Sequence, residues 1–188
     1  VQEKIKEVLR QLKKINKTKG NRYKPYKGKN EKLGKWFNDE NLLNTCNHES
    51  RGHIVEDLYR YLYAVCFAIV KNKSPALNEF PPELLPNHKS AKEALTGTKF
   101  NDRFRVQLKH RPSTTIASHI SKDGHYYIHP DPYQCRSLTV REAARLQTFP
   151  DNYFFEGPRT AQYVQVGNAV PPFLANQIAG VVFNIFKQ

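Results

Sequence analysis

The last helix-forming stretch of this sequence, residues 171–186, is apolar on nearly every side. Phe173, Leu174, Ile178, Val181, Val182, Phe183, Ile185 and Phe186 leave little polar face for solvent. A helix that is hydrophobic all round has to be covered by other structure, and this one should pack against a sheet. The residues before it punctuate the chain. Residues 163–166 (Tyr-Val-Gln-Val) suit a buried strand, Gly167-Asn168 a tight turn, and Pro171 and Pro172 the first turn of the helix. Upstream, Thr139 and Glu142 stand at capping-box spacing and start a helix at Val140. Ala143, Ala144 and Gln147 give that helix a closely packable face. Phe149-Pro150-Asp151 ends it, because proline lacks a donor and restricts the residue before it. A strand whose small-residue turn opens a helix is a common place for a ligand to meet backbone.

The rest of the chain is strongly basic. Thirty Lys and Arg stand against 17 Asp and Glu, a net charge of +13 that favours association with a polyanion. Double-stranded DNA is the leading partner. No membrane partner is expected, because no apolar run reaches the ~18 residues a spanning helix needs and the basic residues are not confined to one amphipathic helix. Hydrophobic residues make up 39% of the 188, enough for one fair-sized domain or two small ones. Three cysteines without paired spacing fit a reducing compartment and free thiols. No secretory pattern opens at Val1, and a chain with no methionine reads as a piece of a longer one.

In chain order, Val1, Ile5, Val8, Leu9, Leu12 and Ile15 recur at helical spacing and predict an amphipathic helix with a lysine-rich polar face. Residues 20–35 interleave lysines with Tyr23 and Tyr26 and hold too little apolar surface to fold alone. They read as a basic linker, either solvated or neutralising phosphates. Residues 54–71 form an apolar helix in which Asp57 and Arg60 are intrahelical partners. The polar run 47–53 caps it, and Cys46, His48 and His53 lack a fourth ligand at zinc spacing. Pro75, Pro81, Pro82 and Pro86 keep 75–97 irregular, with short helices at most. Phe104, Val106 and Leu108 then alternate with Arg103, Arg105 and Gln107 as in a strand. Residues 114–120 and 126–129 read as two more strands, with Asp123-Gly124 as the hairpin turn between them. Such a β unit would present Arg103, Arg105, Lys109, Arg111, Ser118, His119 and Lys122 as phosphate donors and base-edge readers. His119, His125 and His129 lack supporting carboxylate or cysteine spacing, so no metal is expected.

Two strings carry a resemblance. Arg136-Ser137-Leu138-Thr139-Val140-Arg141-Glu142-Ala143-Ala144-Arg145-Leu146-Gln147-Thr148-Phe149-Pro150-Asp151 and Gln165-Val166-Gly167-Asn168-Ala169-Val170-Pro171-Pro172 resemble the ninth and tenth sequence blocks of the DNA (cytosine-5)-methyltransferases, in the right order and at roughly the right separation. The resemblance implies an α/β chain: part of an S-adenosylmethionine-dependent methyltransferase (Rossmann-like) fold, with a mixed α+β target-recognition region. It divides the sequence into a helix and basic linker (1–35), the recognition region (36–135) and the C-terminal part of the catalytic domain (136–188). It further implies that Asn168, Ala169 and Val170 contact S-adenosyl-L-methionine, and that the helix from Val140 braces the recognition region. Arg136, Arg141 and Arg145 are then candidates for phosphate contacts or inter-element ion pairs. Equally, Arg141 and Arg145 simply pair with neighbours such as Glu142 or Asp151.

Other family hallmarks are missing. The three cysteines follow Thr45, Val65 and Gln134, so the Pro-Cys nucleophile is absent, as are Phe-x-Gly-x-Gly and Glu-Asn-Val. Without that thiolate there is no covalent route to carbon 5, and no catalytic residue is expected in this chain. The implied partner is an N-terminal catalytic half or subunit, in a bacterial, cytoplasmic restriction-modification enzyme. A non-catalytic DNA-binding module and a partner-assembly protein are the alternatives.

Overall fold

The computed structural model describes residues 1–12, 24–25, 33–87 and 101–187. The end of the first expected helix, most of the basic linker and residues 88–97 of the proline-rich interval lie outside the described residues. Six α-helices occur among the described residues: α1 (Gln2–Gln11), α2 (Gly34–Phe37), α3 (Val55–Lys71), α4 (Val140–Leu146), α5 (Arg159–Asn168) and α6 (Pro172–Phe186). Strands β1 (Lys24–Pro25) and β2 (Asn44–Thr45) pair antiparallel. Two compact units interleave along the chain. The first takes Val1–Lys19, Ser50–Thr114 and Asp123–Leu138, and the second Gly20–Glu49, Thr115–Lys122 and Thr139–Gln188.

The first unit is built on α3. One face of that helix, Leu58, Leu62 and Cys66, packs with Val8 of α1 and with Cys135. Another, Tyr61, Ala64, Val65 and Ala68, packs with Leu77, Phe80, Phe104, Val106 and Ile128. Burial on two sides is why the sequence of α3 is apolar beyond one stripe. The expected polar cap is not made: α3 begins after Ile54 with no side-chain bond, and Glu56 and Asp57 instead meet the positive end of the helix dipole. It stops at Asn72, whose left-handed conformation (φ 55°) suits the residue type. Asp57 and Arg60 pair at 2.8 Å as expected. Among its described residues, the proline-rich stretch forms two 3-10 turns, Leu77–Glu79 and Pro82–Leu84.

The three expected strands do not form. Phe104 and Val106 are buried and their arginine neighbours half-buried, so the alternation is real. Pairing, however, is limited to single bridges, Val106 with Ile128 and Ile128 with Ser137. Ser118–Ser121 and His125–Tyr127 are 3-10 turns where strands were expected. Past His129, whose amide still donates to Arg136 O at 2.9 Å, Pro130 and Pro132 offer no amide to extend a ladder. Gly124 does turn left-handed (φ 78°), and a Cβ there would stand 2.7 Å from that of Ser137. It opens a 3-10 turn instead of a hairpin, whose two arms belong to different units.

In the second unit, α4 starts as its capping box requires: Glu142 N donates to Thr139 Oγ1 at 3.2 Å, and Thr139 N to Glu142 Oε2 at 2.8 Å. The strand expected at 163–166 is a correction, because those residues lie inside α5. Gln162, Tyr163 and Val166 share its buried face, and a short apolar run fits either period until its surroundings choose. Gly167 and Asn168 accordingly end a helix, and Pro172 occupies the first position of α6 as expected. No residue of α6 is buried, and Phe183, Ile185 and Phe186 are 57%, 63% and 84% exposed. Arg159–Phe186 contains an 18-residue window of mean hydropathy 1.4, long and apolar enough for a membrane span by composition. The break after Asn168 splits it into helices of 10 and 15 residues, each short of the ~20 a span needs.

Candidate cofactor wall and nucleic-acid surface

Asn168, Ala169 and Val170 join α5 to α6, and the second unit fixes them from behind. Gln147, buried at the end of α4, donates through Nε2 to Val166 O at 3.2 Å and Ala169 O at 3.5 Å, and to Ile116 O at 3.3 Å. One amide thus ties the end of α5 to the residues preceding the 3-10 turn Ser118–Ser121. Gly167 makes the same junction close: a Cβ there would lie 2.3 Å from Ser118 N and 2.4 Å from Ala117 C. Gly167 is expected in a tight turn, whereas packing is what demands it. On the outer side, Asn168 and Val170 are exposed.

Thr148 sets the start of α6. Its φ of 62° is left-handed, which a β-branched residue rarely adopts. Trp36 Nε1 donates to its carbonyl at 2.7 Å. Its Oγ1 accepts from Phe173 N at 3.1 Å, capping a helix whose own cap residue, Pro171, has no side-chain acceptor. Nothing in the sequence signals that conformation.

The arginines separate sharply. Arg141 is 2% exposed and donates to the carbonyls of Cys46 (3.1 Å), Pro150 (3.0 Å) and Tyr153. Its guanidinium is drawn into the interior, where it binds three loop carbonyls, and this burial runs against the expected phosphate contact. Arg145 takes the simpler reading, a two-point ion pair with buried Asp151.

The remaining basic candidates are divided between the units. In the first, Arg103 pairs with Asp123 at 3.3 Å, and Arg105 pairs with Asp102 and lies 5.9 Å over the Tyr126 ring. Half-buried Arg136 donates to Gln134 Oε1 at 2.9 Å and Ser137 O at 3.0 Å. Lys109, His110 and Arg111 are exposed on a loop whose base is closed by the buried side chain of Gln107. Thr114 N donates to Gln107 Oε1 at 3.0 Å, and Gln107 Nε2 donates to Tyr126 O at 2.9 Å. In the second unit, His119 and Lys122 are exposed while Ser118 is half-buried against Gly167.

Two of the three thiols are unsuited to attack. Burial pushes Cys66 up to about 11 and Cys135 up to about 12, so both stay protonated at neutral pH. Cys46 Sγ faces Asn44 O at 3.7 Å.

A family model described as C-5 cytosine-specific DNA methylase matches residues 2–184. The chain is 49% identical over 148 residues to type II methyltransferase M.Bpa9945I of Bacillus paralicheniformis, covering 79% of this chain and 32% of that protein. It is 34% identical over 139 residues to type II methyltransferase M1.HphI of Haemophilus parahaemolyticus, covering 74% and 31%. It is 39% identical over 90 residues to type II methyltransferase M.AgeI of Thalassovita gelatinovora, covering 48% and 20%. The chain therefore spans about a third, or less, of the length of these relatives. With nearly every residue inside the match, this chain belongs to the C-5 cytosine-specific DNA methylase family.

Proposed function

We propose that the chain is the target-recognition and pocket-closing part of a DNA (cytosine-5)-methyltransferase. It holds duplex DNA through its basic loops and completes an S-adenosyl-L-methionine pocket begun by a separate N-terminal catalytic half. The observation that carries this reading is the position of α6. An apolar helix with no buried residue directly follows Asn168, Ala169 and Val170, so a partner that covers the helix also closes over that segment. The Rossmann-like sheet then belongs to the partner, and α4 to α6 are the part of the fold contributed here.

The residues at the α5–α6 junction fit one side of such a pocket. Asn168 offers an exposed amide and Val170 an apolar side chain that is 63% exposed, a pairing suited to a nucleoside-bearing ligand. When bound, S-adenosyl-L-methionine supplies an electrophilic methyl group. This chain's residues orient it and exclude water, and none of its cysteines acts as nucleophile. On the duplex side, Lys109, Arg111, His119 and Lys122 neutralise phosphates or read base edges, Arg103, Arg105 and Arg136 hold their loops and border the backbone, and Ser118 keeps its side chain for a groove contact. The setting is the bacterial cytoplasm.

Mixing the chain with a catalytic half that contains Pro-Cys and Phe-x-Gly-x-Gly tests the proposal. Methyl transfer to duplex DNA is expected only from the mixture, and retention of duplex by this chain should fall steeply as salt rises. Retention without restored transfer would favour the non-catalytic module, and partner binding without DNA the assembly protein. Methylated product from the isolated chain would overturn the division of labour.

A further inference from the structure

A line of polar side chains crosses the interior of the first unit, and the proposed function makes no use of it. The amide of Ser137 donates to His53 Nε2 at 3.2 Å. A backbone N–H can only donate, so this nitrogen is the acceptor and the ring proton sits on Nδ1. That Nδ1 stands 3.4 Å from Tyr61 Oη, which accepts there and turns its own proton to His125 Nδ1, 2.8 Å away. His125 consequently carries its proton on Nε2, which faces Asp123 Oδ2 at 3.7 Å. Asp123 ends the line by accepting from the His125 amide at 3.0 Å and from Arg103 at 3.3 Å.

We infer that Ser137, His53, Tyr61 and His125 form a one-way hydrogen-bond chain, with the Asp123 carboxylate facing its end, that admits only neutral histidines, an acid-sensitive latch between α3 and the Asp123–Leu138 stretch. A second proton on His125 would point Nδ1–H at the Tyr61 oxygen and strand the phenol proton in a fully buried side chain. A second proton on His53 would face Nε2–H toward the Ser137 amide. Ser137 Oγ, at 3.2 Å, could accept that proton only while the amide loses its partner. The surrounding charges act in both directions: Asp123 and Asp57 favour a charged His125, while Arg103 and Arg60 oppose it. Burial leads and lowers the His125 pKa. Burial likewise raises the Tyr61 phenol well above its ordinary value, with Asp57 and Asp123 adding to it and Arg51 and Arg103 opposing. The latch also bears on Arg103, because Asp123 is the carboxylate that both the chain and that arginine use.

The direction of the pH effect follows. His125 has a lower pKa folded than unfolded, so the unfolded chain binds more protons in the interval between the two values. The stabilisation is complete above the ordinary histidine value of about 6.5 and is lost as pH falls below it. Long-range proton–nitrogen NMR on the labelled full chain at neutral pH reads the tautomers directly. His53 is expected with its proton on Nδ1 and His125 with its proton on Nε2. In Tyr61→Phe both Nδ1 resonances should move together while His53 Nε2 holds its place. The melting midpoint of the wild type should fall between pH 7 and pH 5, and His125→Gln, which accepts and donates without titrating, should lose at least half of that fall. A proton on His125 Nδ1, a doubly protonated ring at neutral pH, or an acid response unchanged in His125→Gln would overturn the inference. The wild-type spectrum decides the matter even if a variant fails to fold.

Discussion

α3 and α6 are apolar helices of 17 and 15 residues with opposite fates: eight residues of α3 are buried by its own unit, and none of α6. Hydrophobic content does not separate them. α3 has Val8 and Cys135 on one side and Leu77, Phe80, Phe104 and Ile128 on another. α6 is tied in at its first turn, where Phe173 N donates to Thr148 Oγ1 and the Phe173 ring lies 5.1 Å from Trp36, and beyond it Ile178, Val182 and Phe186 are exposed on an open apolar face. The difference teaches that apolar content alone does not bury a helix: the chain encloses α3 in a core of its own and leaves α6 uncovered.

Substitutions can break or sharpen that contrast. Val65→Asp places a charge in the fully buried seam of α3; it should cost about 4 kcal/mol or more and abolish the cooperative thermal transition. A folded Val65→Asp chain would mean that α3 is not the centre of its unit. Arg141→Met keeps bulk while stripping three carbonyls of their donor, at a cost of about 3 kcal/mol seen in denaturant unfolding. An unchanged midpoint would return Arg141 to the candidates for phosphate. Thr148→Asn retains an acceptor for the first turn of α6 and tolerates left-handed backbone, so it should raise stability by about 1 kcal/mol. A loss there would show that the threonine conformation is not strained. The smallest effect on the isolated chain belongs to Ile178→Asp, within about 0.5 kcal/mol because the site is exposed. The same change should remove methyl transfer by the chain mixed with its catalytic half. If Ile178→Asp destabilises the chain by itself, α6 is already covered and the comparison fails.

The parts of the site legible in the sequence are those made by neighbours. Thr139 and Glu142 lie three residues apart and close their box within one turn, so the start of α4 could be read directly. The same holds for Asp57 with Arg60 and for Pro172 opening α6. Arg145 with Asp151 was one of two open readings, and only the folded chain chose it. Residues 163–166 were misread because a run of Tyr-Val-Gln-Val satisfies a strand until Gln147 and the turn at Ser118–Ser121 claim one helical face. The β unit at 103–129 failed for a related reason: the alternation of Phe104 and Val106 was genuine, but a strand exists only if a partner supplies amides in register. Gln147 was read as part of a packing face, and its bonds to three carbonyls had no local sign.

By itself, the sequence determined the family strings, the excess of positive charge, the absence of Pro-Cys and the places where α4 and α6 begin. Each is a property of composition or of hydrogen bonds closed within a few residues. Tertiary structure alone decided which arginine is withdrawn from solvent, which strands remain single bridges, how His53, Tyr61 and His125 share their protons, and which apolar helix is left bare. Those outcomes depend on groups far apart in the chain, and local pattern carries no record of which distant amide, carbonyl or side chain will arrive to complete them.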